Sequence, residues 1–242
     1  MVSRAPEDCI DQRRGPSVSS DFQVGGDGHR PWEEPEIDKY RDRWGLGTFE
    51  RTSFELGLNT GQRGQDVREM RRDQIDGGFI SVRQLKTDER VVVPISDDLR
   101  VALDAWFAHQ DEWIKKRKSA KKPRPIPVDV NLMILTGDRG RRLGEDAFRH
   151  KMIASYEKVD GLVHGLHAGG VTTHGLRYAA ATRLYELGVS LDDIALITGH
   201  ETRDMVEKYA MKKRAAKLAF DKLNTATAAQ KSNASDKPDL QK

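Results

Sequence analysis

Cysteine is nearly absent from this 242-residue chain. Cys9 stands alone, which excludes an internal disulfide and a thiolate zinc framework and fits a reducing compartment. Long apolar runs are missing as well: nothing approaches the roughly 18 consecutive apolar residues of a membrane span. The N-terminus, MVSRAPEDCIDQRR, lacks the apolar core of a secretory signal. A soluble, cytoplasmic protein with no membrane partner is expected. A large charge of one sign is also lacking, since 41 Lys and Arg face 38 Asp and Glu for a net charge of +3. With a pI near 8.9, the total is weak support for a nucleic-acid partner, and the distribution of charge matters more. No internal repeat and no Walker-type glycine loop occurs. What is present is 37% hydrophobic and 33% charged residues at a mean hydropathy of −0.69, enough for one sizeable core under a charged surface.

Residues 1–31, rich in Gly, Ser, Pro, Asp and Arg, read as a disordered arm, and 226–242 as a disordered polar tail. Between them, 32–225 reads as one domain of mixed, mainly α class. Pro35 to Tyr40 looks like a helix start. Phe49 to Leu58 is apolar at helical spacing and is broken by Asn59-Thr60-Gly61, and a helix then resumes from Gln62 to Met70. Phe79 to Leu85 and Arg90 to Ile95 are two β-branched runs joined by a short polar segment, an antiparallel hairpin with Lys86 at its turn. Ser96-Asp97-Asp98 offers capping chemistry for a helix through Leu99, Leu103, Trp106 and Phe107. Val130 to Thr136 reads as a short strand, Gly137 to Gly140 as a turn, and Arg142 to Val159 as a helix. Thr172 and Thr173 are candidate caps for a helix ended by Gly188, and Ser190 with Asp193 for one ended by Gly199. Further helices are expected around Met205, Val206 and Tyr209 and from Lys212 to Leu223.

The segment KKRKSAKKPRPIP, 115–127, has no apolar face. It is either a solvated loop or a phosphate-tracking one, in which Lys115, Lys116, Arg117, Lys118, Lys121, Lys122 and Arg124 attract DNA without regard to sequence. His164 and His167, in a glycine-rich link without matching acidic or cysteine spacing, read as loop residues rather than metal ligands. His174 and Arg177 are three apart and share a face near a helix start, where free N–H groups and the dipole favour an anion. None of these is diagnostic singly.

The ordered set is specific: Thr60-Gly61-Gln62-Arg63, Lys86 on a hairpin, His174-Gly175-Leu176-Arg177, Gly199-His200, then Tyr209 nine positions later. This resembles the tyrosine recombinase, or phage integrase, family from about Trp32 to Phe220. The resemblance implies a helical integrase-type catalytic domain with a small antiparallel sheet. It makes Arg63 the first arginine, Asp66 the nearby acidic residue, Lys86 the hairpin lysine and His174 with Arg177 the H-x-x-R box. His200 becomes the second histidine and Tyr209 the nucleophile. Tyr178 departs from the pattern, since many relatives carry a basic residue there. The stretch before Trp32 is too short for the helical core-binding domain that usually precedes this one, so a catalytic domain alone is expected.

The implied activity is site-specific DNA recombination or integration through a 3′-phosphotyrosyl intermediate, with Arg63 and Arg177 clamping the phosphate and His200 donating a hydrogen bond. His174 would be the base and Lys86 the general acid. No cofactor and no metal is called for. The implied partners are double-stranded DNA, further copies of the chain in a tetramer on DNA, and accessory DNA-bending proteins, in the cytoplasm at the nucleoid. The alternative is a truncated, non-catalytic DNA-binding remnant or regulator occupying recombination sites.

Overall fold

The first helix described starts where two local signals coincide. Pro35 sits in its first turn, where a missing N–H costs nothing, and Glu36 accepts the backbone N–H of Glu33 at 2.9 Å. The structure, a computed structural model, describes residues 29–199. In chain order it contains α1 (Glu34–Arg43), α2 (Phe49–Thr60), α3 (Gly64–Glu69), a 3-10 turn (Arg72–Gln74), β1 (Ile75–Asp76), β2 (Phe79–Arg83) and β3 (Arg90–Pro94). It continues with α4 (Asp97–Lys118), α5 (Asp129–Leu132), α6 (Glu145–Glu157), α7 (Thr173–Glu186) and α8 (Leu191–Thr198). The fold is mainly α with one small antiparallel sheet, as expected. The expected helices around Tyr209 and from Lys212 to Leu223, the tail and residues 1–28 lie outside the described residues.

Helix α2 is the centre of the core, with nine of its 12 residues buried. Its one buried carboxylate, Glu55, is paired with Arg41 at 2.9 Å and Arg51 at 2.7 Å, as a buried charge requires. Helix α7 packs closely on α2 because Gly57 is small: a Cβ there would stand 3.0 Å from Leu176 Cδ1. An aromatic cluster of Trp32, Tyr40, Phe54 and Tyr156 joins α1, α2 and α6, and Trp32 Nε1 donates to Thr172 O at 2.9 Å. The start of α7 is thereby fixed to the core.

The sheet has strand order β1-β2-β3. The register Ile80↔Val93 and Val82↔Val91 turns four β-branched side chains inward, while Phe79, Arg83, Arg90 and Val92 face out. Lys86 sits exposed in the connecting turn. N-caps at Thr48, Ser96, Thr172 and Ser190 each accept a backbone N–H from the first turn of the following helix. No helix among the described residues is long and apolar enough to cross a membrane.

Three expectations change. Val130 to Thr136 is not a strand: α5 takes its first residues, and only Met133 bridges, to Arg71. Val130 is buried within α5, and Ile134 and Leu135 pack into the core from an irregular path. The basic stretch is not wholly a loop, because α4 runs through Lys118; lysine and arginine form helix well, and cations in a last turn oppose the helix dipole. Residues 29–31, the end of the expected arm, are anchored: His29 Nδ1 lies 2.8 Å from Thr172 Oγ1, and Arg30 pairs with Glu36 and donates to Gly169 O.

Candidate active site

Two helices end at glycines in the left-handed region, α2 at Gly61 (φ 64°) and α8 at Gly199 (φ 69°). Their last carbonyls converge on one guanidinium. Arg177, in α7 and 1% exposed, donates through Nη1 to Gly61 O at 2.9 Å and to Thr198 O, and through Nη2 to Gly199 O at 3.0 Å. Helix C-termini leave unsatisfied carbonyls and a partial negative charge, so a buried cation is a fitting partner for both. Burial, and then the nearby charge of Arg63, push the Arg177 pKa down to about 9, while Asp66 opposes the shift. The group remains charged at neutral pH.

Arg63 stands at the N-cap of α3, directly after the Gly61 turn, and its Nη1 donates to Gln84 Oε1 at 3.2 Å. Asp66, buried in the first turn of α3, accepts the backbone N–H of Leu85 at 2.9 Å. Its carboxyl pKa is raised by burial, against the pull of that N–H and of the charges on Arg63 and Arg177. Its second oxygen has no hydrogen-bond partner among the described residues. The Asp66 carboxyl therefore feels the charges of both Arg63 and Arg177 and holds Leu85, the residue next to Lys86.

His174 lies in the first turn of α7, three residues before Arg177. Its ring is 4.8 Å from that of His29 and 5.1 Å, edge-on, from that of buried Tyr178. Tyr178, the departure noted in the sequence, thus packs against the candidate base.

Arg63, Asp66 and Arg177 come together, with the Lys86 turn tied to them through Leu85 and Gln84. His200 and Tyr209 lie outside the described residues; the carbonyl of Gly199, one residue before His200, is on Arg177. The basic residues 115–124 are separate. Lys115, Lys116, Arg117 and Lys118 close α4, where Arg117 stacks over Trp113 at 4.9 Å and donates to Pro125 O, and Lys121, Lys122 and Arg124 follow, exposed. A cleft of about 420 Å³ lined by Phe49, Trp106, His109, Trp113 and Lys151 contains none of the candidate catalytic residues. The sequence assigns no role to Gln84, to Thr198 or to the side chain of Gln62, all three of which bond within this site. Parity was the available signal, since Gln84 falls on the inward face with Ile80 and Val82, where a polar residue needs a reason.

Residues 37–215 match the phage integrase family. The chain belongs to that family. It is 29% identical over 165 residues to tyrosine recombinase XerC of Mycobacterium bovis (strain BCG / Pasteur 1173P2), covering 68% of this chain and 50% of the relative. The chain therefore spans about half the length of the curated relatives it matches. Among solved structures it resembles a lambda integrase tetramer bound to a Holliday junction, with a TM-score of 0.51 and 23% identity over 75% of this chain and 48% of that one. It also resembles XerA recombinase, with a TM-score of 0.54 and 17% identity over 78% of this chain and 65% of that one. These likenesses show the integrase catalytic fold.

Proposed function

We propose that this chain is a tyrosine-type site-specific DNA recombinase that cleaves and rejoins strands. The observation that carries the reading is that Arg63, buried Asp66 and Arg177 lie close enough to shift one another's titration, with the Lys86 turn bonded to Asp66 through Leu85 and to Arg63 through Gln84. Neither arginine is placed by chance, since Arg177 is fixed by two helix ends and Arg63 by the turn that ends one of them.

The Tyr209 phenol oxygen attacks the scissile phosphorus, and the bond from phosphorus to the 5′ oxygen breaks. Tyrosine ionises near pH 10, so His174 takes its proton at neutral pH. Lys86 gives a proton to the departing 5′ oxygen. Arg63 and Arg177 bind the non-bridging oxygens as charge builds, His200 adds a hydrogen bond, and loss of one such donor costs about 100- to 1,000-fold in rate. The products are a 3′-phosphotyrosyl protein and a free 5′ hydroxyl, and attack by a partner strand reverses the step. The partners are double-stranded DNA, other copies of the chain in a tetramer, and accessory DNA-bending proteins, at the nucleoid.

The test uses a pool of nicked suicide duplexes with randomised arms. A denaturation-resistant protein–DNA adduct is expected from wild type and not from Tyr209→Phe, and sequencing the trapped DNA reads out the site. Demonstrated binding with no adduct would overturn the enzyme and favour the DNA-binding remnant.

A further inference from the structure

Gln84 is fully buried at the end of β2, and both atoms of its amide are used twice. Oε1 accepts from Arg63 Nη1 at 3.2 Å and from Thr87 Oγ1 at 3.0 Å. Nε2 donates to Gln62 Oε1 at 2.7 Å and to Thr198 O at 2.9 Å. That is the full capacity of a primary amide, two acceptor and two donor directions. Its orientation is fixed by chemistry: arginine only donates and a carbonyl only accepts, so a flipped amide would oppose both. The neighbour is fixed in the same way, because Gln62 Nε2 donates to Thr60 O and Ile197 O, each at 3.0 Å.

Thr198 O receives both Gln84 Nε2 and Arg177 Nη1. One side chain thus connects Arg63 directly, Arg177 through a shared carbonyl, and the turn bearing Lys86 through Thr87. Apart from the bond from the Leu85 N–H to the Asp66 carboxyl, Gln84 is the side-chain tie between that turn and Arg63 among the described residues. The contact is tight as well, since a Cβ on Gly199 would overlap the Gln84 amide.

We propose that Gln84 is a positioning residue that sets the Lys86 turn against the arginine pair, so that the general acid meets the leaving oxygen. The inference rests on the recombinase reading, and its test separates the two. Single-turnover cleavage is measured for wild type, Gln84→Met and Thr87→Val on two nicked suicide duplexes. One carries the ordinary bridging 5′ oxygen and the other a bridging 5′ sulfur, whose thiolate leaves without a proton.

General acids contribute about 100- to 10,000-fold, and misplacement by about 1 Å costs on the order of 100-fold. Gln84→Met should therefore lose about 30- to 100-fold on the oxygen substrate and stay within about threefold of wild type on the sulfur substrate, at unchanged DNA affinity. Thr87→Val, which removes one exposed-side bond and keeps the shape, should show the same pattern more weakly and guards against a Gln84 variant that fails to fold. Equal losses on both substrates, or no loss from either variant, overturn the proposal while leaving the recombinase intact. A wild-type chain that forms no adduct on either substrate overturns the recombinase reading and this inference with it.

Discussion

Asp66 holds opposing forces on one carboxyl. Burial favours its neutral form, whereas the Leu85 N–H and the charges of Arg63 and Arg177 favour the anion, and burial prevails. An acid whose folded pKa is raised contributes stability that is present below its unfolded value, near 3.8, and is lost as pH rises through the folded value. Wild type measured against Asp66→Asn should therefore lose relative stability as pH rises from below about 3.8 through the raised folded value, because groups that do not interact with Asp66 cancel in the difference. Urea unfolding of both proteins across that range checks it. A difference that grows with pH would mean that the two arginines outweigh burial, and that the carboxylate is held for its charge. Asp66→Asn should also lower cleavage, since a charge that acts on both Arg63 and Arg177 goes with it.

Helix ends do at the scale of elements what Asp66 does at the scale of one side chain. Gly199 ends α8 at φ 69°, hands its carbonyl to Arg177, and leaves space for Gln84. Gly199→Ala should cost about 1–3 kcal/mol from backbone strain and lower cleavage beyond that, because the new methyl displaces the Gln84 amide. Thermal unfolding and the suicide-substrate rate measure the two effects, and a variant with wild-type cleavage would show that Gln84 tolerates displacement. These ends were legible as punctuation: Gly61, Gly188 and Gly199 stop helices, and Thr172 and Ser190 start them, because caps are local chemistry. The hairpin was legible from its two β-branched runs and the short polar segment between them. Val130 to Thr136 misled because a short apolar run has no period of its own, and packing beside Met70 and Trp106 decided its path. The order of site residues was readable, but the carbonyl cage around Arg177 was not. It joins positions 61, 177, 198 and 199, and Gln62 reaches across to Ile197, distances in the chain that no local window spans.

Across the whole molecule, 41 basic and 38 acidic side chains nearly cancel, so attraction to a polyanion must come from where the charges sit. The end of α4 and the segment after it gather Lys115, Lys116, Arg117, Lys118, Lys121, Lys122 and Arg124 within ten residues of sequence. Not all are equally available: Arg117 is held over Trp113 and by Pro125 O, and Lys116 lies 3.8 Å from Glu112. Lys118, Lys121 and Lys122 are exposed and are the ones to replace. Each phosphate contact contributes roughly 0.9 to the slope of log affinity against log salt, so Lys118→Gln, Lys121→Gln and Lys122→Gln together should flatten that slope by about two to three. Fluorescence anisotropy on a duplex at stepped salt concentrations gives the slope directly. At saturating DNA the cleavage rate should stay at the wild-type value, because none of the three touches Arg63, Arg177 or the Lys86 turn. A slope that did not move would place the DNA on another face and leave the basic end of α4 as solvated surface, whatever the chemistry at Arg177.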